Sequence, residues 1–124
     1  MHRICIVEDE PNIIEALRYL MEAKGWQVEV VSDGGLAVEA VRHQLPDLLI
    51  LDYMLPNMSG LAVAKELRTH PDTADLPILM LSAKGQTKDK QQAQIAGINL
   101  FMTKPFANSD LIEQVSALLD SRST

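Results

Sequence analysis

Cysteine is almost missing from this chain. Cys5 is the only one in 124 residues, so no internal disulfide can form. Its place inside the apolar run Arg3-Ile4-Cys5-Ile6-Val7 marks it as a buried, inert thiol. Positive charge is also scarce: 11 Lys and Arg face 17 Asp and Glu, a formal net charge of −6. That balance argues against nucleic-acid binding by this domain, because phosphate contacts need a basic patch. No apolar run approaches 18 residues and the N-terminus lacks a signal-peptide layout, so no membrane role is expected and a reduced, cytoplasmic setting is the default. There is no linker, internal repeat or low-complexity stretch, and the length suits one domain. A hydrophobic fraction of 47% and a charged fraction of 23% are ordinary for a globular chain, which at this size buries roughly two thirds of its unfolded surface.

What is present is an end-to-end alternation of strand and helix signals, the pattern of a parallel sheet covered on both faces. Strands are expected at about 3–8, around Val28–Val31, at 47–51, 77–81 and 99–103. Between them, Pro11 suits the first turn of a helix that Gly25 closes, and a second helix over Leu36–Leu45 ends at Pro46. Ser59 is a candidate N-cap for a third helix carrying Leu61, Ala64 and Leu67. Residues 86–96 read as an unusually polar helix closed by Gly97, and Asn108 or Ser109 is the candidate cap of the last. Right-handed crossovers would place helices on both faces of the sheet.

The chemistry gathers at the carboxyl ends of the strands, where open α/β sheets bind ligands. The first strand runs into Glu8-Asp9-Glu10, the third into Asp52, the fourth into Ser82 and the fifth into Lys104-Pro105. If the first and third strands are neighbours, Glu8, Asp9 and Asp52 come within several ångströms. Two carboxylates about 5 Å apart repel by roughly 3 kcal/mol at an effective dielectric of 20. Such a cluster either protonates or takes up a cation, and hard oxygen donors on a small open site favour Mg2+. Glu10 is expected to face water. Lys104 reads either as a salt-bridge partner of the acids or as a neutraliser of phosphoryl oxygens, and a cis bond to Pro105 would aim it inward. The Ser82 hydroxyl reads either as a strand-end cap or as a donor to a phosphoryl oxygen, with Ala83 leaving access beside it.

Four segments carry a family resemblance. They are Ile4-Cys5-Ile6-Val7-Glu8-Asp9-Glu10-Pro11, Asp52-Tyr53-Met54-Leu55-Pro56-Asn57-Met58-Ser59-Gly60, Met80-Leu81-Ser82-Ala83-Lys84-Gly85, and Phe101-Met102-Thr103-Lys104-Pro105-Phe106. Together and in this order they resemble the response-regulator receiver domains (CheY-like) of two-component signal transduction. The resemblance implies a flavodoxin-like, doubly wound (βα)5 fold with a five-stranded parallel sheet of order 2-1-3-4-5. The receiver would occupy residues 1–120, with 121–124 a flexible tail. It implies Asp52 as phosphoacceptor, with Glu8, Asp9, Asp52 and the backbone carbonyl of Met54 around Mg2+, for which Mn2+ can substitute. Ser82, Ala83 and Lys104 would contact the phosphoryl group, Lys104 and Pro105 would share the cis peptide, and Ser82 and Phe101 would form the switch. The implied partners are a sensor histidine kinase or histidine phosphotransfer protein, and an output protein or domain docking on the face of the fourth helix, fifth strand and fifth helix. A phosphorylation-dependent homodimer is a further implied state. Beyond its own phosphorylation and dephosphorylation, no enzymatic turnover is implied.

Three rivals carry different chemistry. A flavodoxin-like FMN binder needs a Ser/Thr/Gly-rich phosphate loop where this chain has Glu8-Asp9-Glu10. An Asp-dependent phosphatase of the haloacid dehalogenase type needs a second Asp two residues after the nucleophile, where this chain has Met54. A degenerate receiver serving only as an interaction module would not need the acid set, Ser82 and Lys104. Departures from the family pattern are Asn99 and Leu100, where two acids are common, and Phe101 in place of tyrosine. Asn99 and Leu100 would fall on the output face and point to an atypical partner. His2, His43 and His70 lack partners at metal-ligand spacing and are expected on the surface.

Overall fold

The strand and helix signals become ten alternating elements in a computed structural model that describes residues 2–83 and 87–123. They are β1 (Arg3–Val7), α1 (Pro11–Ala23), β2 (Gln27–Val31), α2 (Gly34–Gln44), β3 (Leu48–Asp52), α3 (Gly60–Arg68), β4 (Ile78–Ser82), α4 (Thr87–Ile95), β5 (Leu100–Thr103) and α5 (Asn108–Ser123). The sheet order is β2-β1-β3-β4-β5, and every neighbouring pair is parallel. This is the flavodoxin-like order 2-1-3-4-5.

Side-chain alternation sorts the strands onto two cores. Ile4, Ile6, Leu48, Ile50, Leu79 and Leu81 pack with Leu17 and Met21 of α1 and with Leu111, Val115 and Leu119 of α5. Cys5, Val7, Leu49, Leu51, Ile78 and Met80 face the other way, onto α2, α3 and Ala93 of α4. All five residues of β3 and of β4 are buried, which is why these strands read as continuous apolar runs rather than alternating ones. Cys5 is fully buried, and burial pushes its thiol pKa up to about 12.

Several boundaries differ from the sequence expectation. Asp52 is the last residue of β3 rather than the first of the following turn. Helix α2 ends at Gln44 and is closed by Leu45, which takes the left-handed conformation at φ 48°, just before Pro46. Neither Asn108 nor Ser109 caps α5: both are already helical, and the Ala107 carbonyl accepts the first helical N–H, from Leu111. That helix continues through Ser123, so residues 121–123, expected as a flexible tail, extend α5. Gln86, expected to begin the polar helix, and Lys84 and Gly85 of the quoted segment lie outside the described residues, as does Thr124. The Ser59 cap of α3 forms, its hydroxyl accepting the Ala62 N–H at 3.2 Å.

Helix α4 is held lightly along its length and firmly at one end. Ala93 and Ala96 are buried while Ile95 is 82% exposed, so among the described side chains no large one anchors the helix body. At its carboxyl end the Gly97 N–H donates to Gln94 and the Ile98 N–H to Ala93, with Gly97 at φ +89°. This paired bonding around a left-handed glycine is a Schellman cap. Arg68, the last residue of α3, donates to the Gly97 carbonyl from Nε (3.1 Å) and one terminal nitrogen (2.8 Å). The other terminal nitrogen donates to the carbonyls of Thr73 and Ala74. The Asn99 side-chain oxygen accepts from Arg68 at 3.0 Å and from the Ile78 N–H at 2.8 Å. Asn99, expected to face a partner, therefore spends its amide oxygen on the start of β4.

Two glycines set the approach of backbones near the end of β3. The Gly60 N–H donates to the Tyr53 carbonyl at 2.9 Å, and a Cβ on Gly60 would lie 2.1 Å from the Asp52 carbonyl oxygen. A Cβ on Gly34 would lie 2.0 Å from the Met58 carbonyl oxygen. Gly60→Ala must push α3 away from the strand end. It is expected to cost about 1–3 kcal/mol, the usual range for forced overpacking, read as a lower urea midpoint. Wild-type stability in that variant would refute the close contact.

Candidate functional site

β1 and β3 lie side by side with Val7 opposite Leu51, so the next residues, Glu8 and Asp52, emerge together at the carboxyl edge of the sheet. The Glu8 N–H still donates to the Val31 carbonyl of β2 at 3.1 Å, which keeps its backbone in line with the strands. Glu8 and Asp52 are 2% and 5% exposed, whereas Asp9 is exposed. Carboxylate oxygens of the three lie within 4.8 Å of one another, and among the described residues no other such acid, His or Cys group exists. Glu10 and His43 are exposed, and the His70 ring lies 3.3 Å from Glu66.

Lys104 closes the site from β5. Its Nζ donates to Glu8 Oε1 and to Asp52 Oδ1, both at 3.0 Å. Its backbone N–H donates to the Ser82 carbonyl at 2.7 Å, and its peptide bond to Pro105 is cis. The remaining Glu8 oxygen accepts the Asp9 N–H at 3.0 Å and the Glu10 N–H at 3.2 Å. Both Glu8 oxygens are thus engaged by the protein itself.

The electrostatics follow from this crowding. Each Lys104 contact supplies roughly 5 kcal/mol of attraction at an effective dielectric of 20, set against several kcal/mol for desolvating each ion. Burial raises the Glu8 carboxyl above its ordinary value, with Lys104 and the Glu10 N–H pulling it down and Asp52 pushing it further up. For Lys104, burial works to lower the pKa, but the two carboxylates more than offset it and the net shift is upward. Three carboxylates facing one ammonium leave an excess of negative charge. Hard oxygen donors so arranged fit a divalent cation of the magnesium type.

The other expected site residues fall as follows. Ser82 ends β4 fully buried, opposite Thr103 in register, and Ala83 beside it is exposed. Met54, 59% exposed, lies in the loop of residues 53–59 between β3 and α3. Phe101, half-buried, packs against the core containing Ile78, Met80 and Ala93. By strand alternation it lies on the same face of the sheet as Ser82. A cavity of about 170 Å³ adjoins it between α4 and β5, lined in part by Lys90, Gln94 and Ile98.

Sequence reasoning missed Asp33 and Asn57. Asp33 caps α2, its Oδ1 accepting the Gly35 N–H at 2.7 Å, while its Oδ2 accepts from Asn57 Nδ2 at 2.8 Å. Asn57 sits at φ 69° in the loop that follows Asp52. The signals were Asp before Gly-Gly at a helix start and Asn in a turn, since Asn tolerates positive φ better than most residues.

The raised Glu8 carboxyl makes a pH test. A folded-state pKa above the unfolded one contributes stability that is present below the unfolded value and lost as pH rises through the folded one. Glu8 should therefore cost stability progressively above its ordinary value of 4.5. Glu8→Gln, which retains an acceptor for Lys104, is expected to raise Tm relative to wild type more at pH 7 than at pH 4.5. Equal differences at the two pH values would refute the assignment.

With this geometry in hand, the comparisons are consistent. The family model described as the response regulator receiver domain matches residues 4–116. The phosphate regulon transcriptional regulatory protein PhoB of Rhizobium meliloti (strain 1021) is 39% identical over 117 residues, 94% of this chain and 52% of that protein. The chain thus spans about half the length of that relative. The signal receiver domain of a signal transduction histidine kinase from Syntrophus aciditrophicus superposes with a TM-score of 0.90 at 33% identity, covering 98% of this chain and 92% of that one. The receiver domain of sensor histidine kinase PA1611 from Pseudomonas aeruginosa PAO1, with magnesium coordinated in its active-site cleft, gives 0.89 at 27% identity, covering 96% and 98%. A parallel sheet of this order, the acid trio at its carboxyl edge and a family match along nearly the whole chain lead to one assignment: the chain belongs to the response regulator receiver domains of two-component signalling.

Proposed function

We propose that this domain is a phosphoacceptor switch: Asp52 takes a phosphoryl group in a Mg2+-dependent manner and the resulting change is read by an output partner. The observation that carries this is the buried Asp52 carboxylate, held 3.0 Å from Lys104 Nζ within an acid trio that has more negative charge than one ammonium offsets. Glu8, Asp9, Asp52 and the Met54 carbonyl would hold the cation, with Mn2+ able to replace it. Bound there, the cation supplies the positive charge that a phosphoryl group's oxygens need.

The protein's own residues account for the rest. The Asp52 carboxylate is the nucleophile. The donor is a phosphohistidine on a sensor kinase or phosphotransfer protein: its N–P bond breaks, the electron pair stays on the imidazole, and an O–P bond forms to Asp52. Lys104, already placed by Glu8, turns its ammonium to a phosphoryl oxygen, since such transfer depends on positioning and charge more than on covalent help. Exposed Ala83 leaves the approach open. The Ser82 hydroxyl donates to another phosphoryl oxygen, and Phe101 turns beside the vacated space. The lightly anchored α4, with β5 and α5, forms the face that an output protein or domain reads, and on which a phosphorylated homodimer would form. The domain acts by docking rather than by turning over a substrate, and the setting is cytoplasmic. Among the described residues no helix is long and apolar enough to cross a membrane.

Incubation with acetyl phosphate and Mg2+ should add the mass of one phosphoryl group to wild type and none to Asp52→Ala; labelling of both, or of neither, would overturn the assignment. The apolar Met54 side chain cannot orient an attacking water. Met54→Asn should therefore lose its phosphoryl group faster than wild type, and equal decay rates would refute that role.

A further inference from the structure

We propose that Asp33 and Asn57 form a latch whose task is to hold the 53–59 loop in the shape that cation binding needs. This rests on the assignment of the Met54 carbonyl to the cation. The loop is fixed at its ends by the Tyr53 N–H on the Leu81 carbonyl and the Gly60 N–H on the Tyr53 carbonyl, both at 2.9 Å. Between them the Met58 N–H donates to the Pro56 carbonyl at 2.8 Å, and Leu55 and Met58 pack against the core. Polar support comes from the turn that starts α2. Asn57 Nδ2 donates to Asp33 Oδ2 at 2.8 Å, and the Gly34 N–H donates to the Pro56 carbonyl at 3.1 Å. The fit is close: a Cβ on Gly34 would strike the Met58 carbonyl, and one on Gly35 would lie 3.3 Å from Asn57 Cβ.

Asp33 divides its carboxylate between two tasks. Oδ1 caps α2 through the Gly35 N–H, and Oδ2 reaches the facing loop. A cap alone needs only the first. The Met58 N–H donates to the Pro56 carbonyl at 2.8 Å, closing a three-residue turn with Asn57 at φ 69° at its centre, and the second Asp33 bond braces that turn from outside. Releasing Asn57 would let the chain on either side of it relax, and Met54 is three residues away. Asp33 and Asn57 are thus positioning residues for a backbone ligand, with no contact to the cation itself.

The test separates latch from cap. Asn57→Gly removes the amide without leaving backbone strain, because glycine accepts positive φ. Asp33→Ser keeps a cap acceptor for α2 but is too short to reach residue 57. Mg2+ titration of the purified chain by calorimetry should show both variants binding about tenfold more weakly, the low end for outer partners of a metal ligand. The double variant should be no weaker than either single one, because both break the same bond. In metal-free protein, amide exchange at Leu55, Asn57 and Met58 should quicken in both variants while β3 amides stay slow. Wild-type affinity in Asn57→Gly would leave Asp33 a helix cap and overturn the latch alone. An absence of Mg2+ binding by wild type would overturn the cation assignment, and the latch's purpose with it.

Discussion

One ammonium between two buried carboxylates organises the edge of this sheet. Lys104 comes from the last strand, Glu8 from the first and Asp52 from the third, so their meeting requires β1, β3, β4 and β5 to be in register. Such a group is close to break-even energetically, since desolvation consumes most of the Coulomb attraction. Its value lies in what it prepares. Under the proposed function, an acid cluster that is incompletely neutralised, with one lysine already oriented, would receive a cation and an anionic group. The strands could be stabilised as well by apolar ends, so stability alone does not account for their polar ones.

Much of the fold was legible because it depends on burial. β3 and β4 are covered on both sides, so Leu48–Leu51 and Ile78–Leu81 had to be continuous apolar runs. The helices that cover them had to carry one apolar face each. The candidate site was legible for a related reason: a charged residue directly after a buried strand has few places to go except the sheet edge. Glu8, Asp52, Ser82 and Lys104 all announced themselves by that position.

What escaped was set by pairings between distant loops, which leave no periodic trace. Asp33 and Asn57 are 24 residues apart, and each alone looks like an ordinary turn or cap residue. Arg68 resembled any basic residue in the last turn of a helix, yet its guanidinium gathers carbonyls from the 73–74 and 97 turns. Asn99 stood out only as a departure from a family pattern, and its engagement with Ile78 follows from the sheet register rather than from its type. Helix ends shifted by a residue or two: α5 starts from the Ala107 carbonyl, so Asn108 and Ser109 fall inside it.

The unequal fastening of α4 has a mechanical consequence. Its carboxyl end is bolted to α3 through Gly97 and Arg68, while Thr87 at its amino end comes five residues after Ser82 in the chain. A nine-residue helix is about 13 Å long, so a displacement of 1 Å at the amino end is a tilt of roughly 4° about the bolted one. If α4 tilts as the proposed switch requires, its displacement is greatest at Thr87 and smallest toward Ile95, and a surface that senses the tilt must grip the far half of the arm rather than its hinge.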